Sequence, residues 1–163
     1  MKYYVQIGNN KSRIYESASG IIAGSVLGPL LYLIFMDDVV DVVLHSTVLL
    51  FADDIKLLKI IFDWIDVRKL QRDIDKVNEW SVMNRLLLNK SKCVIFTAFR
   101  TTTFINATYK LDDHVIERCS IVRDLGIPLD QKFTFAHHID QLTLHSRQMI
   151  VYIKRISGRF TRD

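Results

Sequence analysis

The chain has 163 residues, 49% of them hydrophobic and 25% charged, the composition of one folded domain with a real core and not of a disordered tail. Its 22 basic and 18 acidic residues leave a formal charge of +4, which permits nucleic-acid binding without being diagnostic of it. Two cysteines, Cys93 and Cys119, are too few for a disulfide framework, lack a metal-binding spacing and fit a reducing interior.

The start, Met1-Lys2-Tyr3-Tyr4-Val5-Gln6, turns polar at once, so a secreted product is not expected and an intracellular one (cytoplasm and nucleus) is. Tyr3-Tyr4-Val5-Gln6-Ile7 and Arg13-Ile14-Tyr15 flank a polar tip at residues 8–12, the pattern of a short hairpin. Residues 17–36 are uncharged, about long enough to span a bilayer, and place Gly20, Gly24 and Gly28 at the spacing of a helix-dimerisation face. Against a membrane helix, serines, glycines and Pro29 dilute the segment. Asp37, Asp38 and Asp41 follow it with no basic anchor. No membrane association is expected, and a spanning helix over 17–36 stays as the minor alternative. The denser apolar part predicts a helix over residues 26–43, capped by Ser25, with Pro29 tolerated near its start. It is apolar nearly all round, so the pattern predicts burial.

Phe51-Ala52-Asp53-Asp54 joins two strand-like apolar runs, residues 47–52 and 55–60. The pattern predicts a tight hairpin with both carboxylates at its tip. Two adjacent anions fixed there repel unless a cation sits beside them, which points to a divalent metal. Asp is also a common turn residue, so a solvated turn is the competing reading. Asp63 or Asp66 then opens an amphipathic helix whose stripe is Val67, Leu70, Ile74, Val77 and Trp80. Arg68, Lys69, Arg72, Asp73, Asp75, Lys76 and Glu79 fall off that stripe and read as a solvated face.

Leu86-Leu87-Leu88 and Cys93-Val94-Ile95-Phe96-Thr97 read as a turn into a strand, with Lys90 and Lys92 leading into it. Strand-like runs cover residues 104–111 and 115–118, with Asp112-Asp113 as the turn between them. Leu125-Gly126-Ile127-Pro128-Leu129-Asp130 is apolar but broken by Gly and Pro. A last helix starts near Ala136 with an expected core stripe of Ile139, Leu142, Ser146, Met149, Ile153 and Ile156. His114, His137 and His138 have no ligand-like spacing and read as structural or capping residues. No linker or repeat divides the chain, which reads as one continuous α+β unit.

In this order the motifs resemble the reverse transcriptases of non-LTR retrotransposons of the jockey and LINE kind. Ser19-Gly20-Ile21-Ile22-Ala23-Gly24-Ser25-Val26-Leu27-Gly28-Pro29 resembles the family's loop-helix motif. Phe51-Ala52-Asp53-Asp54 looks like its catalytic hairpin. Trp80, Leu88-Asn89-Lys90-Ser91-Lys92-Cys93, Asp124-Leu125-Gly126-Ile127 and Phe133-Thr134-Phe135-Ala136-His137-His138-Ile139 match in order and approximate spacing. The resemblance runs from about residue 5 to residue 160.

The resemblance implies the antiparallel-sheet palm of a right-hand polymerase with packed helices over residues 1–135, then the start of a thumb-like basic helix over 136–163. It implies RNA-directed DNA polymerase chemistry on an RNA template, a DNA primer and dNTPs, with no specific protein partner. Asp53 would ligate two Mg²⁺ ions, or Mn²⁺ in their place, and Asp54 would support or share that ligation. Ala23, Gly24, Phe51, Ala52 and Lys92 fall at the nucleotide and template pocket, although Lys92 reads equally as a solvated lysine. Leu125 and Gly126 resemble the primer-grip turn. Arg147, Lys154, Arg155 and Arg159 suit a weak phosphate-tracking helix, and a plain solvated face equally.

Two departures from the family matter. Ile22-Ala23 stands where the family has Pro-Gln, so the template pocket loses a hydrogen-bonding side chain and a fixed backbone angle. The first acidic residue, Glu16, is misplaced for the further Asp that palms carry on an upstream strand, and fingers and an endonuclease are not recognisable. The expectation is a fragment that does not polymerise DNA on its own, with a non-catalytic nucleic-acid-binding remnant as the alternative.

Overall fold

The computed structural model describes residues 2–16, 25–99 and 104–160. Its elements are β1 (Lys2–Tyr3), β2 (Gln6–Ile7), β3 (Asn10–Lys11), β4 (Tyr15–Glu16), α1 (Gly28–Asp37) with a 3₁₀ continuation (Asp38–Val42), β5 (Thr47–Phe51), β6 (Asp54–Leu58) and α2 (Trp64–Met83). A short 3₁₀ turn (Lys90–Lys92) leads to β7 (Val94–Phe96), β8 (Lys110–Leu111), β9 (His114–Val115), β10 (Glu117–Cys119), β11 (Ile121–Asp124), β12 (Ile127–Asp130) and α3 (Ala136–Phe160). The fold is α+β, with small sheets. Among the described residues the strands pair two by two and form no larger sheet. β1–β4, β2–β3, β5–β6, β8–β9 and β11–β12 are antiparallel, and β7–β10 is parallel.

α2 organises the core. Asp63 is its N-cap, accepting hydrogen bonds from the amides of Ile65 (2.8 Å) and Asp66 (2.9 Å). Asp66 instead accepts from the Phe62 amide and faces Lys59 and Lys69. The predicted stripe is the buried one. Val67 and Ile74 pack with Ala107, Tyr109, Leu111 and Ile116, with Leu70 against them. Val77 and Trp80 pack with Met36 and Val39. Leu57 and Leu88 touch both clusters, so β6 and the chain after α2 tie them together. Gln71 adds a polar fastening. Its side-chain amide donates to the Lys110 carbonyl (2.8 Å) and its carbonyl accepts from the Lys110 amide (2.9 Å), which pairs the edge of β8.

Five expectations are corrected. Asp73 does not lie on a solvated face: it is 1% exposed and accepts hydrogen bonds from the amides of Leu44 (3.1 Å) and His45 (3.1 Å). The loop that covers it arrives from 28 residues upstream, beyond any helical periodicity. The helix expected over 26–43 is α-helical only to Asp37 and tightens to 3₁₀ after it. Ser25 does cap its start, accepting from the Gly28 amide at 3.2 Å. Its predicted burial fails, since Leu30, Leu31, Leu33 and Ile34 are exposed and only Gly28 and Met36 are buried on α1. Residues 104–109 alternate in burial as a strand would, yet only Lys110 and Leu111 of that run join a ladder. On α3 the expected core stripe is not core: Ile139, Leu142, Met149, Ile153 and Ile156 are all exposed. Among the described residues, no helix is long and apolar enough to cross a membrane. Residues 17–24 lie outside the described residues, so Ala23 and Gly24 do as well.

Candidate catalytic hairpin

β5 and β6 pair from Thr47↔Leu58 to Phe51↔Asp54, leaving Ala52 and Asp53 as a two-residue loop. The sequence dictates this register. Val48, Leu50, Ile55 and Leu57 carry the partly buried face, and Leu50, Ile55 and Leu57 pack onto the cluster around Met36 and Trp80. A one-residue slip would turn those side chains outward. The same alternation puts Leu49, Phe51, Asp54, Lys56 and Leu58 on the outer face. Asp53 is therefore in the loop itself, and Asp54 is the first paired residue after it. Both are exposed.

The tip is strained. Ala52 has φ +50°, a conformation that costs a residue with a Cβ about 1 kcal/mol or more. Positive φ at the first of two loop residues is the II′ arrangement, which fits the strand twist and ordinarily takes Gly there. The anchoring of Leu50 and Ile55 below the loop holds Ala52 in that conformation.

Tyr32 of α1 lies beneath the hairpin, in the same cluster as Leu50 and Ile55. Burial and then the negative charge of Asp53 push its phenol above the ordinary tyrosine value. Trp80 fixes α1's end by donating from its indole nitrogen to Asp38 Oδ1 (3.0 Å) and by a tilted contact with Phe35 (ring centroids 6.1 Å apart). Asp73, through Leu44 and His45, pins the chain just before β5. Sequence reasoning passed over Tyr32 and read Asp73 as a solvated charge. A lone phenol in an apolar helix was an available signal for the first, and none existed for the second.

β11 and β12 form a second two-residue hairpin, closed by Asp124↔Ile127. Leu125 (φ +47°) and Gly126 (φ +89°) both have positive φ, the I′ arrangement. Pro128 faces Arg123, one step from the closing pair, where a ladder position needs no N–H. Lys56 of β6 bonds Asp124, both side chains about two-thirds buried (28% and 31% exposed). The predicted primer-grip residues are thus joined to the predicted catalytic hairpin through Asp124, which the motif contained without a role, and Lys56, which no motif contained.

The other predicted residues lie elsewhere. Lys92 is exposed in the turn before β7, whose strand partner is β10 and not the hairpin. Arg147, Lys154 and Arg155 are exposed on α3 with Val151 on the same face, at helical spacing. The side chain of Arg159 lies outside the described residues. His137 reaches Gln141 (3.2 Å) one turn on, in keeping with a structural role.

As a metal site the hairpin offers two adjacent exposed carboxylates, oxygen donors of the kind Mg²⁺ takes. Among the described residues no group of three His, Cys, Asp or Glu side chains could hold a metal ion. The fit is to half a site: a metal here would need further oxygens from water or a phosphate.

The family described as "Reverse transcriptase (RNA-dependent DNA polymerase)" matches residues 1–135. Among curated proteins, the chain is 31% identical to the RNA-directed DNA polymerase from mobile element jockey of Drosophila melanogaster, over 86% of this chain and 16% of that protein. It is 33% identical to the jockey polymerase of Drosophila funebris over the same shares. It is 27% identical to a probable RNA-directed DNA polymerase from transposon BS of Drosophila melanogaster, over 97% of this chain and 18% of that protein. The chain thus spans less than a fifth of the length of these relatives. No solved structure matches it.

Proposed function

Because the chain belongs to the reverse transcriptase (RNA-dependent DNA polymerase) family, we propose that it is the palm-to-thumb segment of a non-LTR retrotransposon polymerase and carries the carboxylate half of that enzyme's metal site. The observation that carries this reading is the β5–β6 hairpin, with Asp53 in a strained loop and Asp54 at the first pair. A bound Mg²⁺ or Mn²⁺ supplies the positive charge for in-line attack of a primer 3′ hydroxyl on a dNTP. The chain's own part is to hold two carboxylates at one rigid, exposed point. Leu50 and Ile55 anchor that point, Asp73 pins its approach, and the small side chain of Ala52 leaves room for a primer end. The β11–β12 turn at Leu125-Gly126 grips the primer, and the exposed Arg147, Lys154 and Arg155 follow the phosphates of template and primer.

Two carboxylates with no third ligand group among the described residues bind metal weakly, so the isolated chain does not turn over. The test combines Mn²⁺ titration with primer extension on an RNA template with dNTPs and Mg²⁺. Weak binding that Asp53→Asn abolishes, without incorporation, is the expected pair of results. Incorporation that Asp53→Asn removes would overturn the inactivity. Mn²⁺ binding that ignores Asp53→Asn and Asp54→Asn would overturn the site.

A second reading rests on α3 alone. Its basic face would make the chain a nucleic-acid binder without chemistry, recognised by RNA affinity that falls with salt and is lost in Arg147→Ala/Lys154→Ala/Arg155→Ala while Asp53→Asn leaves it intact.

A further inference from the structure

Lys56 lies two residues along β6 from Asp54 and on the same outer face of the hairpin. Its partner Asp124 is the residue immediately before Leu125-Gly126. The two members are 68 positions apart and both are largely screened from water. Each belongs to the paired part of a tight hairpin, Lys56 opposite Leu49 and Asp124 opposite Ile127. Neither end of the contact is on a loose loop, so its geometry is transmitted to the two turns.

We propose that the Lys56–Asp124 ion pair is the tie that sets the position of the Leu125-Gly126 turn relative to the Asp53-Asp54 carboxylates, which makes Lys56 and Asp124 positioning residues for the primer end. The inference rests on the reading of those two turns as primer grip and metal site. A primer held by one hairpin reaches the other only if the two keep a fixed separation, because misplacement by about 1 Å costs orders of magnitude in a reaction that depends on alignment. A side chain of the opposite sign from Asp54, two residues away on one face, is free to make this tie because it points the same way as the carboxylate it serves.

The experiment uses the isotopically labelled chain and four variants: Lys56→Ala, Lys56→Met, Asp124→Ala, and the exchange Lys56→Asp/Asp124→Lys. Lys56→Met keeps the aliphatic stem, so packing and charge are separated. Without metal, amide hydrogen exchange at Ile127, which closes the second hairpin, should speed up roughly two- to fivefold in each single variant. The exchanged pair should restore it. With Mn²⁺, paramagnetic broadening at Leu125 and Gly126 should weaken in the single variants and return in the exchanged pair, while broadening at Ala52 and Ile55 stays as in the unmodified chain. Single variants that leave both Ile127 exchange and the Leu125–Gly126 broadening unchanged would overturn the tie, as would Lys56→Met behaving like the unmodified chain. If Mn²⁺ broadens nothing near Asp53 even in the unmodified chain, the metal reading fails by itself, and the exchange measurement still decides the tie.

Discussion

α2 and α3 are both long amphipathic helices with regular apolar stripes, yet they have opposite fates. Every stripe residue of α2 is buried or packed against the core, whereas Ile139, Leu142, Met149, Ile153 and Ile156 of α3 face outward. Periodicity records which face a helix needs to have covered. It does not record what covers it. α2 finds its cover in strands and loops on both sides of it in sequence, whereas α3's main packing among the described residues is against β12. α1 repeats the lesson, since its near-continuous apolar surface is mostly exposed.

The contrast can be broken most forcefully at Trp80. Trp80→Ala should cost about 3–5 kcal/mol, by cavity formation and loss of the Asp38 hydrogen bond, read as a fall in the urea midpoint. Asp73→Ala should follow at about 2–3 kcal/mol, because the Leu44 and His45 amides lose their buried acceptor. A change near zero there would mean that water reaches those amides. Smaller again is an acid transition at the root of α3. Asp130 accepts from the amides of Lys132, Thr134 and Phe135 and from the Thr134 hydroxyl, which hold its carboxyl down at about 2. A group depressed in the folded state stabilises fully above its unfolded value and loses that contribution as pH falls through the folded one. The start of α3 should therefore loosen between about pH 4 and about pH 2. Asp130→Asn should remove that pH dependence in the chemical shifts of Thr134 and Phe135. Smallest of all, Ile153→Ser should move stability by no more than about 0.5 kcal/mol while improving solubility. A loss like that of Trp80→Ala would show that α3 is covered in solution after all.

What could be read from the sequence was local. The α2 stripe, a cap at Asp63 or Asp66, the hairpin at Phe51-Ala52-Asp53-Asp54 and the turn at Asp112-Asp113 follow from spacing and turn chemistry within a few residues, while the structure decides the cap for Asp63. What escaped was set by partners far along the chain. Asp73 reads as one more surface charge until the loop at Leu44 and His45 closes over it. The tie between Lys56 and Asp124 joins a residue beside one motif to a residue inside another, and neither motif signals the other. The pairing of β7 with β10, parallel and between strands only three residues long, leaves no turn signature at all. Among site residues, Asp53 fell in the hairpin loop as expected, whereas Asp54 is the first paired residue of β6 rather than part of the tip, and the turn at Leu125-Gly126 closes a hairpin that the sequence pattern did not specify.

The backbone angle at Ala52 sets limits on drift. An alanine codon reaches Val, Thr, Pro, Ser, Gly, Asp or Glu by one base change. Val and Thr carry branched side chains that a positive φ resists most, and Pro cannot adopt it at all. Asp accepts the angle but brings a third negative charge beside Asp53 and Asp54. Gly fits without strain, at the cost of a looser tip. A copy of this sequence free of selection would lose the hairpin's shape through substitutions at residue 52 even with both carboxylates intact. The residue with no chemistry of its own is thus the more sensitive witness to whether the tip is still being kept for use.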